Sequence, residues 1–98
     1  MEIILFLGTA RANEANLHGY PPGEKHALLV FLRQEKGSVP NWSKATTALE
    51  QKGWSDIALS EPRPIATEAL GSVHPDALAS YEDAIEEGFA VLVFSEAI

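Results

Sequence analysis

The side chains with the most chemistry to offer lie in and just after one polar connection near the N-terminus, residues 9–24. Histidine and tyrosine can move protons, and arginine and asparagine can bind a ligand or a partner. Uninterrupted connections of this length are uncommon and are often functional. We therefore expect a ligand or partner site here, or alternatively a covering loop packed by Leu17 and Tyr20. The candidate site residues are Arg11, Asn13, His18, Tyr20 and His26.

The spacing of the histidines argues against a metal centre. The chain has three histidines and no cysteine, and none of His18, His26 and His74 is two or four residues from another. Such spacings are what present two imidazoles to one ion. We expect no metal and no cofactor. A proton-transfer role for His18, His26 or Tyr20 then describes a cofactor-free enzyme acting on a small organic substrate.

Motifs for nucleophilic catalysis and phosphate binding are also missing. The sequence has no Gly-x-Ser-x-Gly and no Ser-x-x-Lys. The segment Leu7-Gly8-Thr9 lacks the later glycines and the lysine of a phosphate-binding loop. These absences leave acyl transfer and nucleotide binding without support.

A second candidate is a group of four carboxylates near the end of the second predicted helix. These residues form like-charge pairs four positions apart, where the helix dipole favours cations. The simple interpretation is a solvated face. The functional interpretation is an acidic patch that binds a basic protein partner, as in an inhibitor or immunity-type protein. The acidic patch comprises Glu82, Asp83, Glu86 and Glu87.

Charge and composition narrow the class of partner. The 98-residue chain has a net charge of −7 and 46% hydrophobic residues, and its second half carries ten acids but only Lys52 and Arg63 as bases. Nucleic acids and anionic membranes attract the opposite sign, so we expect neither partner. The apolar run Ile3–Leu7 is too short to span a bilayer. A cysteine-free chain suits a reducing compartment, and we expect a cytoplasmic protein of bacterial type.

Apolar runs and capping signals predict four strands and two helices. Asn41 or Ser43 should begin the first helix, which should end at Gly53; the second should run from Pro75 to Gly88. Residues 10–17 could add two helical turns. The predicted strands are Ile3–Leu7, Ala27–Leu32, Phe89–Phe94 and, at a sheet edge because of Pro62 and Pro64, Ser55–Ser60.

This order favours one α+β domain over residues 1–98. We expect a two-layer sandwich with a mixed sheet of about four strands and both helices on one face, in a ferredoxin-like topology. Three strands are apolar on both faces, so the second face would need a cover. A homodimer in which the open faces of two copies meet is the simplest way to cover it. The leading expectation for function is a non-enzymatic binding module that acts as a homodimer.

Overall fold

The computed structural model describes residues 1–65 and 75–98 and confirms the predicted order of elements. His74, expected next to the start of the second helix, lies outside this part of the chain. Asn41 caps the first helix, and its Oδ1 accepts from Lys44 N at 3.0 Å. The elements are β1 (Glu2–Ala12), β2 (Lys25–Gln34), α1 (Trp42–Gln51), β3 (Trp54–Ile65), α2 (Pro75–Glu87) and β4 (Phe89–Ala97).

The four strands form one open antiparallel sheet in the order β3-β1-β2-β4. The prediction of an α+β domain is confirmed, but that of a mixed sheet is wrong. β1 and β2 pair along almost their whole length, with Phe6 opposite Val30. They are joined by a loop with no helix, so the ferredoxin-like arrangement is not confirmed. The proposed helical turns at residues 10–17 are absent, because Thr9–Ala12 extend β1 instead.

The two helices lie on opposite faces of the sheet, which corrects the prediction that they share one. On the α1 face, Ala45 and Leu49 pack against strand residues that include Ile4, Phe6 and Val30. On the α2 face, Ala77 and Ala84 pack with Ile3 and Phe31. Successive strand residues point to opposite faces, so strands that are apolar throughout can bury both sides. The result is three layers rather than two.

The two edge strands differ in character. β3 occupies the predicted edge and continues through Pro62 and Pro64 to Ile65, with two register shifts against β1. β4 forms the other edge and begins with six consecutive apolar residues, Phe89–Phe94.

The C-terminal end of α2 is closed by groups from outside the helix. Arg33 on β2 donates to the carbonyl oxygen of Ile85. Gly88 follows with a φ of +93° and donates to the carbonyl oxygen of Ala84 at 2.8 Å. Arg33 thus supplies the cation that the helix dipole favours at this end. Neither of the two helices described here is long and apolar enough to cross a bilayer.

Candidate functional site

Three of the predicted site residues come together around the loop between β1 and β2. His18, Tyr20 and His26 surround the indole of Trp54, the first residue of β3. The ring centroid of Trp54 lies 5.7 Å from that of His18, 5.9 Å from that of Tyr20 and 6.1 Å from that of His26. Trp54 and His26 are fully buried, whereas His18 is exposed. We refer to these four residues as the His/Trp cluster.

His26 uses both of its ring nitrogens inside the protein. Its Nδ1 lies 2.7 Å from the carbonyl oxygen of Phe94, and its Nε2 lies 2.9 Å from Oε1 of Glu24. A carbonyl oxygen only accepts, so Nδ1 is the donor to Phe94, and Nε2 is engaged by the carboxyl group of Glu24. Neither nitrogen is free to exchange a proton with a ligand. His26 therefore ties the loop to the end of β4.

His18 accepts a hydrogen bond from Trp54, another member of the His/Trp cluster. Trp54 Nε1 donates to His18 Nδ1 at 3.1 Å. Although much of its side chain is exposed, partial burial of the imidazole lowers the pKa of His18, and the positive charge of Lys52 lowers it further. Since the indole nitrogen can only donate, Nδ1 must be unprotonated in this arrangement. The structure therefore holds His18 in its neutral form.

The remaining two candidates, Arg11 and Asn13, stabilise the backbone outside the cluster. Arg11 lies on β1 rather than in the loop, donates to the carbonyl oxygen of Gly23 at 2.6 Å and faces Asp56 at 3.4 Å. Asn13 Oδ1 accepts from Ala15 N at 2.9 Å. Short side chains of this kind commonly fix a turn.

The residue that shapes the loop, Asn16, is not among the five candidate site residues. Asn16 Oδ1 accepts from the backbone N–H groups of His18 and Tyr20, at 3.0 and 3.3 Å, and its Nδ2 donates to the carbonyl oxygen of Gly53 at 3.0 Å. It joins the loop to the connection between α1 and β3. An asparagine three residues before a glycine is a turn signal, but the partner at Gly53 is far away in sequence.

A cleft of about 180 Å³ lies beside the first residues of β4. His18 and Lys52 line it from the α1 side, and Asp83 and Glu87 line it from α2. Strand residues Phe89–Val91 form its floor. We refer to it as the β4 cleft.

The acidic patch is exposed and divides into two pairs. Glu82, Asp83, Glu86 and Glu87 are all exposed, and none has an ion pair with another residue in 1–65 or 75–98. Asp83 and Glu87 line the β4 cleft, whereas Glu82 and Glu86 do not. Half of the patch thus lies beside an unpaired strand edge.

Comparisons with known proteins give no information about the function of this chain. No family model, no curated protein and no solved structure matches this chain. In the part of the chain that the structure describes, no three histidine or carboxylate side chains are grouped to hold a metal ion.

Proposed function

We propose that this protein is a non-enzymatic interaction module that binds a basic partner protein at the β4 cleft. The observation that carries the proposal is the position of Asp83 and Glu87, two exposed carboxylates beside an apolar strand edge. Exposed acids attract a basic surface and set its orientation, while the apolar edge supplies contact area. A cytoplasmic location is part of the proposal, since a chain without cysteine suits a reducing compartment.

The geometry gives less support to the cofactor-free enzyme. His26 is fully buried and has both nitrogens engaged, so it offers no free base. His18 reaches the β4 cleft, but a volume of about 180 Å³ is below the several hundred Å³ of ordinary ligand pockets. A small cleft with charged walls beside a strand edge suits a protein segment better than an enclosed small substrate.

Two matched double variants test the proposal. Asp83→Lys with Glu87→Lys reverses the charge beside the cleft, and Glu82→Lys with Glu86→Lys makes the same change in net charge away from it. We expect both variants to fold, because all four side chains are exposed and lysine suits the end of a helix. The probe is a capped six-residue peptide alternating valine and lysine, labelled for fluorescence anisotropy.

We expect the wild-type protein to bind this peptide and to ignore the corresponding valine–glutamate peptide. The Asp83/Glu87 variant should lose at least ten-fold in affinity, and the Glu82/Glu86 variant should lose no more than about two-fold. An absence of binding by the wild type would overturn the proposal. Equal losses in the two variants would do the same, since they would show only the attraction of net charge.

A further inference from the structure

We infer that the basic partner binds as an added antiparallel strand on β4, with basic side chains toward α2 and apolar side chains toward α1. The inference rests on the proposed function and specifies the mode of binding. In strand addition, backbone hydrogen bonds supply the affinity and alternate side chains supply the specificity.

The backbone of β4 directs hydrogen-bonding groups to its outer edge, where no strand among residues 1–65 and 75–98 pairs with them. Arg33 N donates to the carbonyl oxygen of Gly88 at 2.9 Å, directly before the pair Leu32–Phe89, so this bond occupies a hydrogen-bonding position of the ladder. Such positions alternate along an antiparallel ladder, which turns the N–H and C=O groups of Phe89, Val91 and Val93 away from β2. β4 pairs with no other strand that the structure describes. Three residues therefore offer a donor and an acceptor each to an added strand.

The opposite edge of the sheet, β3, is poorly suited to pair with an added strand. β3 contains Pro62 and Pro64, and its backbone has positive φ values at Asp56 and Glu61. Prolines and irregularities of this kind protect an edge from pairing with another chain. Phe89–Phe94 contain no proline and no charge. An edge of that composition is prone to aggregate unless something covers it or repels copies of itself.

The two faces of β4 determine the pattern of the added strand. Phe89, Val91 and Val93 contribute side chains to the α1 face, and Ala90 and Leu92 contribute theirs to the α2 face. Residues directly opposite each other share a face. Ligand residues opposite Val91 and its α1-face neighbours are therefore apolar, and the residues between them extend toward the carboxylates of α2.

Charge selects a basic segment over a second copy of this chain. Pairing of β4 with β4 of another molecule about a two-fold axis would keep both α2 helices on the same side of the joined sheet. The carboxylates of Asp83 and Glu87 would then face their own copies. Like charges in such a contact oppose binding, whereas lysine or arginine from a partner would complement them.

Backbone methylation of the valine–lysine peptide tests the mode directly. The ligand residues that exchange hydrogen bonds with Val91 and its α1-face neighbours are the valines. N-methylation of the valines removes the donors toward β4, and N-methylation of the lysines removes an equal number of donors that face solvent. Both peptides keep the same charge and the same side chains.

We expect the valine-methylated peptide to bind at least ten-fold more weakly than the lysine-methylated peptide, which should bind nearly as well as the parent. Equal binding by all three peptides would overturn strand addition and leave the proposed function in place. A failure of the parent peptide to bind would overturn both. A two- to three-fold difference between the methylated peptides is too small for three backbone bonds and would also contradict the inference.

Discussion

The hydrogen bond between Trp54 and His18 depends on the protonation state of His18. Nδ1 of His18 accepts this bond only when it carries no proton. Burial is the larger cause of the lowered pKa of His18, and Lys52 adds to it, while Asp83 and Glu87 line the same cleft from α2. Protonation of Nδ1 must therefore break this hydrogen bond.

We predict that the neutral form of His18 stabilises the fold and that this contribution is lost in acid. In the unfolded chain the imidazole titrates near about 6.5, and in the folded protein its pKa is lower. Between those two values the unfolded state binds more protons, so the contribution is complete above the unfolded pKa and disappears as the pH falls through the folded pKa. Urea unfolding between about pH 5 and pH 8 measures it.

The control is His18→Gln, which cannot be protonated in this range. Its free energy of unfolding should depend less on pH than that of the wild type. The NMR signal of the Trp54 indole N–H should shift as His18 titrates, whereas that of Trp42, whose ring contacts Phe6, should not. Identical pH profiles for the two proteins would contradict the prediction.

Residue type alone identified His18, Tyr20 and His26 as candidates, but it could not show how they meet. The contact between His18 and Trp54 joins residues 36 positions apart, and His26 reaches Phe94 across 68 positions. Trp54, on which these side chains converge, is fully buried in the core. Arg11 and Asn13 had the same support from residue type, and in the structure they hydrogen-bond to backbone groups outside the cluster.

At the scale of elements, local signals predicted which segments form and missed where some of them end. Apolar runs, Asn41 and Gly88 are adjacent to the elements that they define. The end of β1 depends instead on partners, because Thr9 lies opposite Ala27 on β2 and Ala58 on β3. Pairing on both sides keeps this alanine-rich stretch extended, against its helical propensity.

The close approach of the loop to the connection between α1 and β3 leads to a prediction about stability. Gly53 has a φ of +91°, and a Cβ there would lie 2.3 Å from Cα of Asn16 and 2.5 Å from the carbonyl oxygen of Ala15. Gly53→Ala should cost about 1–2 kcal/mol for the left-handed backbone. Displacement of the loop should add about 1–3 kcal/mol, as other overpacked positions do. Thermal or urea unfolding measures the sum.

Gly37→Ala separates the two contributions. Gly37 has a φ of +82°, but nothing lies within 4 Å of the position that its Cβ would occupy. This variant should therefore lose only the backbone part of the stability. The Gly53→Ala variant should also weaken the His18–Trp54 bond, because Asn16 positions the backbone of His18. Equal destabilisation by the two substitutions would contradict the close approach of the loop.

In the whole molecule, the face of the sheet that each helix covers depends on contacts between residues far apart in sequence. The sequence places apolar residues on both faces of three strands, but it does not say which face each helix covers. With α1 on one face and α2 on the other, no complete face is left open. The argument for a homodimer through an open face loses its premise, and the oligomeric state stays a prediction. Within residues 1–65 and 75–98, the apolar strand β4 remains at an edge of the sheet.

The carboxylates beside that edge lead to a prediction about self-association. We expect the wild-type protein to sediment as a 10.6 kDa monomer at micromolar concentration and low salt. Asp83→Asn with Glu87→Gln removes the charges that would face their copies across a β4–β4 contact, so this variant should dimerise. Salt at about 1 M, where the screening length is about 3 Å, should shift the wild type in the same direction.

The matched variant, Glu82→Gln with Glu86→Gln, decides whether position or net charge is responsible. It removes the same charge from the exposed part of α2 that does not line the β4 cleft, and it should stay monomeric at low salt. Equal dimerisation of both variants would mean that the net charge of −7, not the two carboxylates beside the edge, keeps the molecules apart. A wild-type dimer that persists unchanged through all of these variants would show that another surface joins two copies, and the homodimer would then regain its support.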